Sequence, residues 1–230
     1  MNRTRIKICG LTREQDVDAV VAAGVDAVGF VLYPPSARAV TAERAAVLAQ
    51  RLPAFVTPVL LFVNETSEAI AQACLRVPGA WLQFHGDETP EQCRQIAQRL
   101  GRRWIRAARI PLEPAQGEAP FDLLKYAHDY KDAQAVLLDA HVDGYGGGGK
   151  AFNWSQLPQN VNAHLVLSGG LNAANVTDGL HALRDRGLSL AVDVSSGVES
   201  AKGIKDPALI RGFTDAVRAA DAHHARSDAR

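Results

Sequence analysis

Two reactive residues stand at the ends of short apolar runs, where buried strands would finish. Cys9 closes the run RIKIC, and Asp139 follows the run AVLL. A carboxylate at the end of a buried strand is costly to ionise, so Asp139 is a candidate general acid, with a helix cap as its alternative role. A thiol beside a polar turn can be reactive, although a buried cysteine is more often a small apolar side chain. Together they predict proton-transfer chemistry.

Three further polar residues follow other apolar runs. Arg38 lies in a loop after the second run, where its guanidinium could hold a carboxylate in fork geometry or simply be solvated. His85 follows the fourth run and either contacts a substrate or hydrogen-bonds at the rim. Asp193 lies at the end of the eighth run. No second histidine or carboxylate at a neighbouring strand end completes a metal-ligand set with His85, so we predict no metal and no cofactor.

Glycine-rich turns follow the last three apolar runs. Such turns can be simple tight connections, but their backbone N–H groups can also bind an anion, and serine hydroxyls add donors. Two such turns at the last two strand ends favour a phosphate site over simple turns. The predicted phosphate-binding residues are Gly147, Gly149, Gly169, Gly170, Ser195, Ser196 and Gly197.

Eight apolar runs alternate with amphipathic segments along the 230 residues. Near-continuous apolar runs are typical of parallel strands that are buried on both faces. Eight strand–helix units at this length predict a single α/β domain, a closed (β/α)₈ barrel over residues 1–220, with a polar, disordered tail at 221–230. The predicted strands are Arg5–Cys9, Val25–Leu32, Thr57–Val63, Ala80–Phe84, Trp104–Ala108, Ala135–Leu138, Leu165–Leu167 and Leu190–Val194.

Polar residues before the amphipathic segments predict where the helices begin. A capped start is expected near Thr12, and Gly24 stands where that helix should end. Ile110–Pro120 is predicted to be a loop. The other predicted helices are Thr41–Gln50, Ser67–Arg76, Thr89–Leu100, Asn172–Arg186 and Asp206–Ala220, with Thr41, Ser67, Thr89 and Asn172 as N-caps.

Composition narrows the range of partners. Lys plus Arg equals Asp plus Glu at 25 each, which argues against a nucleic-acid or membrane-surface partner. Three cysteines in no metal-binding pattern suit a reducing compartment, and the first ten residues contain no long apolar run, so we expect a cytoplasmic protein. Ordinarily polar helix faces favour a monomer with a small-molecule substrate.

Seven segments together resemble phosphoribosylanthranilate isomerase, the isomerase of tryptophan biosynthesis. They span nearly the whole chain in that family's order and spacing, and the combination of KICG, QFHG and DVSSGVE is specific to it. The segments are KICGLT (Lys7–Thr12), GFVLYPPSAR (Gly29–Arg38), PVLLFVN (Pro58–Asn64), QFHGDE (Gln83–Glu88), LLDA (Leu137–Ala140), LSGGLNAANV (Leu167–Val176) and VDVSSGVES (Val192–Ser200).

The resemblance implies an Amadori rearrangement of N-(5-phosphoribosyl)anthranilate to 1-(2-carboxyphenylamino)-1-deoxyribulose 5-phosphate. Asp139 matches the acid that protonates the ribose ring oxygen, and Cys9 matches the base that removes the C-2 proton. Arg38 matches the residue that holds the anthranilate carboxylate. Asp193 is expected near the sugar hydroxyls, and the glycine-rich turns near the phosphate.

The loop after the sixth strand departs from the family pattern. Gly146–Gly149 lacks the family's hydroxyl residue, and Asn153 replaces an Asp. Backbone donors survive such a change, so phosphate binding should persist, whereas a glycine run orders at greater entropic cost and should close more loosely. Asn can still cap a short helix.

Other functions remain open at this level. A metal-dependent pentose-phosphate epimerase would need more histidine and aspartate ligands than His85 provides, and indole-glycerol-phosphate synthase would need a Lys and a Glu at strand ends. A phosphate-binding regulator would not need both Cys9 and Asp139. The related histidine-pathway aminoaldose shares the phosphoribosyl amine, but Arg38 favours the substrate that carries a carboxylate.

Overall fold

The computed structural model describes residues 3–111, 121–141, 154 and 157–227. Eight parallel strands form a closed barrel, in which β8 pairs with β1. This confirms the predicted fold. The strands are β1 (Arg5–Cys9), β2 (Ala27–Val31), β3 (Thr57–Phe62), β4 (Trp81–Phe84), β5 (Trp104–Pro111), β6 (Ala135–His141), β7 (Val161–Leu167) and β8 (Gly187–Val194).

Alternate residues along each strand build two separate cores. Outward-facing side chains, such as Phe30, Phe62 and Phe84, are at most 1% exposed and pack beneath the helices. Inward-facing side chains fill the barrel with a smaller apolar cluster made of Val59, Ile105, Ala107, Ala135, Leu137 and Val166. Because both faces are buried, each strand needs the near-continuous apolar run seen in the sequence. The inner cluster closes the barrel interior below the strand ends.

Seven helices lie within the described residues. They are α1 (Glu14–Ala22), α2 (Ala42–Ala49), α3 (Ser67–Arg76), α4 (Pro90–Leu100), α5 (Leu123–Asp129), α6 (Val176–Leu183) and α7 (Pro207–Ser227). None of these described helices is long and apolar enough to cross a membrane.

Polar caps fix several of the helix starts. Thr41 and Thr89 accept hydrogen bonds from the first turns of α2 and α4, as predicted, and Thr89 forms a full capping box with Gln92. The predicted cap Ser67 is wrong, because the neighbouring Thr66 accepts the bond from Ala69 instead. Two adjacent hydroxyl residues serve equally well in a sequence, and only the backbone path selects one.

Two other predicted helix starts also differ from the structure. The N-cap of α1 is Arg13, without a side-chain cap, and the Thr12 hydroxyl donates to the carbonyl oxygen of Gly203 instead. The N-cap of α6 is Asn175 rather than Asn172. The Asn172 side chain accepts from the backbone of Ala174, which closes a local turn that competes with the helix.

A short segment joins β8 to α7. It consists of a 3₁₀ turn at Ser196–Val198 and an antiparallel hairpin, β9 (Glu199–Ala201) and β10 (Ile204–Lys205). The expectations for Gly147, Gly149 and Asn153 fall outside the described residues, as does most of the loop predicted at 110–120.

The polar C-terminal tail is helical rather than disordered up to Ser227. Asp221 explains the difference, because its carboxylate accepts from the backbone N–H of Thr4 at 2.8 Å and from the Thr4 hydroxyl at 2.7 Å. Arg184 donates to the same carboxylate at 2.9 Å. Polarity in this segment therefore reflects a contact with the start of β1. Residues 228–230 lie outside the described part of the chain.

Replacing Asp221 with Ala should lower the free energy of unfolding by about 1–3 kcal/mol, because the N–H and hydroxyl of Thr4, a residue only 3% exposed, would lose their partner. Urea denaturation measures this. Asp215→Ala is the matched control, since that side chain is 74% exposed on the same helix and should cost less than about 0.5 kcal/mol. Equal effects of the two substitutions would contradict the role given to Asp221.

Candidate active site

The sequence-predicted catalytic residues lie at the carboxyl end of the barrel. Cys9 is the last residue of β1, whereas β6 continues two residues beyond Asp139. His85 follows β4, and Asp193 lies in β8. All four are buried, between 5% and 7% exposed. Because alternate residues of each strand point into the barrel, these four chemically active side chains lie above the inner apolar cluster.

Lys7 and Asp193 form an ion pair inside the barrel, with Nζ 2.9 Å from Oδ1. They face each other in the register that closes β1 against β8. Burial alone would lower the pKa of the Lys7 ammonium, but the charge of Asp193 and the contact with Cys9 outweigh burial and raise it. Lys7 is therefore a cation, and its charge acts on the nearby Cys9 thiol.

The Cys9 thiol packs tightly against apolar side chains and is also influenced by three charged ones. Burial raises its pKa, the cations of Lys7 and Lys205 lower it, and the charge of Asp193 raises it again, so that the net direction is upward. Gly29 is its neighbour on β2, and a Cβ atom added there would lie 2.5 Å from the Cys9 Sγ. Only glycine at this position leaves room for the thiol.

Asp139 is joined to His85 and, through it, to Gln83. The Nε2 atom of His85 lies 3.0 Å from Oδ2 of Asp139, and its Nδ1 atom lies 3.0 Å from Nε2 of Gln83. Asp193 interacts electrostatically with both Asp139 and His85. The four strand ends thus share one electrostatic environment, and His85 contacts the candidate acid directly.

The loop that carries His85 is held from outside the barrel. Arg106 donates to the carbonyl oxygens of Phe84 and Gly86 at 3.1 and 2.9 Å, and it pairs with Glu88 at 2.8 Å. The other Glu88 contacts include the backbone N–H groups of Asn64 and Gly86. Arg106 therefore fixes the backbone on either side of His85.

One edge of the Arg38 guanidinium is already occupied by a carboxylate of the same chain. Its Nε and Nη2 atoms donate to the two carboxylate oxygens of Glu199 at 2.7 and 2.8 Å. Lys205, whose side chain is fully buried, donates to the same carboxylate at 2.7 Å and to the carbonyl oxygen of Ser195 at 2.9 Å. Arg38, Lys205 and Glu199 together therefore contain two cations and one anion. The Nη1 atom of Arg38 takes no part in the two hydrogen bonds to Glu199.

The predicted phosphate turns after β7 and β8 lie against each other. Gly169 and Gly170 have φ of +76° and +65°, which L side chains rarely adopt. A Cβ atom at Gly197 would collide with the carbonyl oxygen of Leu171, so the two turns touch. The Ser195 hydroxyl is directed elsewhere, because it donates to the carbonyl oxygen of Cys9 at 3.0 Å and receives a bond from Lys205.

Sequence reasoning missed Glu199, Lys205 and Gln83. Glu199 and Gln83 lie within segments that resemble the isomerase family, but neither received a role. Lys205 lies in a polar hairpin and looks solvated in sequence, although the structure buries it. Arg38 and Glu199 are 161 positions apart in sequence, so no local pattern reveals their pairing.

The stability contributed by Glu199 should depend on pH. Burial would raise the pKa of this carboxyl, but the Arg38 hydrogen bonds and the Lys205 charge outweigh burial and hold it below its usual 4.5. Glu199→Gln should cost about 3–5 kcal/mol near neutral pH, since two buried cations lose their anion. A lowered folded pKa means that the contribution is complete above pH 4.5 and is lost as the pH falls through the folded value.

Urea denaturation of both proteins over a pH series measures the difference. It should shrink as the pH falls below about 4.5, and a difference that stayed constant with pH would contradict the paired carboxylate.

The chain resembles known proteins over nearly its whole length. The family model for N-(5'-phosphoribosyl)anthranilate (PRA) isomerase matches residues 6–216. A relative of that name from Methylibium petroleiphilum is 60% identical over 226 residues, which is 98% of this chain and 99% of the relative. The Thermotoga maritima phosphoribosyl anthranilate isomerase structure is 38% identical, with a TM-score of 0.80 over 94% of this chain and 99% of that one.

A second solved phosphoribosyl anthranilate isomerase, in complex with reduced 1-(o-carboxyphenylamino)-1-deoxyribulose 5-phosphate, is 36% identical. Its TM-score is 0.77, and the match covers 94% of this chain and 99% of that one. By these matches, the chain belongs to the N-(5'-phosphoribosyl)anthranilate isomerase family.

Proposed function

We propose that this enzyme isomerises N-(5'-phosphoribosyl)anthranilate to 1-(2-carboxyphenylamino)-1-deoxyribulose 5-phosphate in tryptophan biosynthesis. The observation that carries the proposal is a buried thiol and a buried carboxyl, Cys9 and Asp139, at the same end of a barrel of this family. The reaction needs one acid near the ring oxygen and one base near C-2 of the sugar, and no external oxidant or reductant, because C-2 is oxidised as C-1 is reduced. A small phosphorylated molecule is the substrate.

Asp139 is the general acid. Its protonated carboxyl gives its proton to the ribose ring oxygen as the C-1–O bond breaks, and the anthranilate nitrogen forms a C=N bond to C-1. The carboxylate that results receives a hydrogen bond from His85 at 3.0 Å. A preorganised donor at the atom that gains charge stabilises the transition state more than the ground state.

Cys9 is the general base. As a thiolate it removes the C-2 proton of the Schiff base, and the resulting enolamine tautomerises to the ketone. The Lys7 and Lys205 cations both lower the pKa of the thiol against the effect of its burial. The Lys7–Asp193 ion pair keeps one of these cations next to the base.

The two anionic ends of the substrate define the rest of the site. We assign the anthranilate carboxylate to Arg38, which offers Nη1 while Glu199 holds the other edge. We assign the phosphate to the adjacent turns of Gly169, Gly170 and Gly197, because backbone N–H groups of glycine-rich turns can bind an anion and the first two glycines have positive φ. Asp193 is assigned to the sugar hydroxyls, and Ser196, Gly147 and Gly149 complete the proposed phosphate site.

The enzyme is proposed to act as a monomer in the cytoplasm, without a nucleic-acid or membrane partner. All described residues assigned here come from one barrel, so a second copy is not needed to complete the site. The three cysteines are free and buried, as suits a reducing compartment. Light scattering at assay concentration should give one 24.6 kDa species, and a stable dimer would contradict the monomer.

Substitution of either catalytic residue should abolish most turnover. Cys9→Ala and Asp139→Asn should each reduce kcat by about a hundred- to ten-thousandfold, because each removes one proton-transfer group. The assay follows loss of the substrate's fluorescence, with phosphoribosylanthranilate generated in situ because it is labile. Cys74→Ala is the matched control, since that cysteine is buried in α3 outside the barrel interior and should retain wild-type turnover.

Each outcome of the turnover assay tests a different part of the proposed function. If the wild type turns over and Cys9→Ala is also active, the thiol is not the base. If Asp139→Asn is active, Asp139 is not the acid. A wild type that binds a ribose-phosphate analogue without turnover would overturn the enzymatic proposal itself.

A further inference from the structure

Gln83 is a buried amide on the inner face of β4. It is 0% exposed, and its register neighbours on either side are the apolar residues Leu61 and Ile105. A buried amide is costly unless it is hydrogen-bonded. Its contact is with the ring of His85, two residues along on the same face, at 3.0 Å between Nε2 of Gln83 and Nδ1 of His85.

This contact decides which nitrogen of His85 carries the proton. The amide nitrogen of Gln83 can only donate, so Nδ1 of His85 must accept and the ring proton lies on Nε2. That proton points at Oδ2 of Asp139, 3.0 Å away. Turning the Gln83 amide over would place its two N–H donors where Oε1 now lies, and Oε1 has no hydrogen-bond partner among the described residues. The observed orientation leaves one N–H and Oε1 unpaired among the described residues, whereas the turned amide would leave two N–H donors unpaired, and unpaired buried N–H donors are rarer in proteins than unpaired carbonyl acceptors.

The charges around His85 do not select its proton position by themselves. Asp139 contacts it from β6, and the Asp193 carboxyl on β8 is close enough to interact with it electrostatically. The Asp193 charge is already matched by Lys7 at 2.9 Å. Asp139 therefore remains as the acidic group in direct contact with the ring, at Nε2, while the hydrogen-bond partner of Nδ1 within the described residues is the Gln83 amide. The amide is the group that excludes a proton from Nδ1.

We propose that Gln83 is a positioning residue that holds His85 as the neutral tautomer protonated on Nε2. This rests on the proposed function in one respect, the role of Asp139 as the general acid. A neutral His85 lets Asp139 hold its proton before reaction, whereas an imidazolium would hold it as a carboxylate in an ion pair. Once Asp139 has given its proton to the sugar, the Nε2–H of His85 stabilises the carboxylate.

Gln83→Glu tests this with almost no change of shape, because an oxygen replaces the NH₂ group. The new carboxylate can accept from Nδ1, so both ring nitrogens of His85 should be protonated. Protein labelled with ¹⁵N-histidine, studied by proton–nitrogen correlation at neutral pH, reads both nitrogens, and His85→Gln assigns the signal. The wild type should show a proton on Nε2 and none on Nδ1. The exposed His128 serves as the unaffected control.

The kcat of each variant should change together with the protonation of His85. Gln83→Glu should lower kcat by about ten- to a hundredfold, the usual loss when a group that orients a reacting side chain is changed, while KM stays close to wild type. Gln83→Met keeps the length of the side chain without a donor, and it should show a mixture of the two neutral tautomers with a smaller loss of kcat. A merely structural role would change stability without moving protons on His85.

The proposal is overturned if wild-type Nδ1 carries a proton, whatever the turnover. It is also overturned if Gln83→Glu protonates Nδ1 while kcat stays at the wild-type value. The wild-type spectrum needs no variant to fold and no turnover, so failure of the proposed function, seen as an inactive wild type, is distinguishable from failure of this inference.

Discussion

A charge inside a closed barrel must find its partner among the other inward-facing side chains, because water and the outer helices are out of reach. The active end of this barrel follows from that constraint. Lys7 forms an ion pair with Asp193 across the strands that close the barrel, and the ring of His85 hydrogen-bonds to Asp139. Each partner comes from a strand far away in sequence, so forming the site and closing the barrel are the same event.

These contacts also give the base and the acid different electrostatic surroundings. On one side, Lys7 stays charged because of Asp193 and places a cation beside the Cys9 thiol. On the other side, the acid hydrogen-bonds to His85, and the amide of Gln83 contacts the far nitrogen of that ring and keeps it neutral in the proposed tautomer. A base needs a nearby cation to favour its thiolate, whereas an acid needs neighbours that do not remove its proton. The Cys9 site is further limited by Gly29, which gives the thiol its space.

The sequence predicted the barrel well because buried parallel strands leave apolar runs of a typical length, and it placed Cys9 and Asp139 because residues at the ends of those runs share one edge. Helix starts were less secure, since adjacent polar residues such as Thr66 and Ser67 can both cap a helix. The partnerships within the site were not predictable in this way. Lys205 lies beside apolar Ile204 in a short polar hairpin, and only the fold shows that it points inward onto Glu199.

Glu199 is an acidic residue beside the proposed site for the substrate carboxylate, so its presence there needs a physical explanation. Arg38 and Lys205 without it would place two buried cations side by side, at a high cost in stability and with strong ground-state attraction for any anion. With Glu199 between them, the group keeps one net positive charge, and the Arg38 plane is fixed by two hydrogen bonds. Substrate and product both carry the anthranilate carboxylate, so stronger attraction here would bind both equally and would not speed the chemical step. Orientation at moderate affinity is what such a contact can contribute to catalysis.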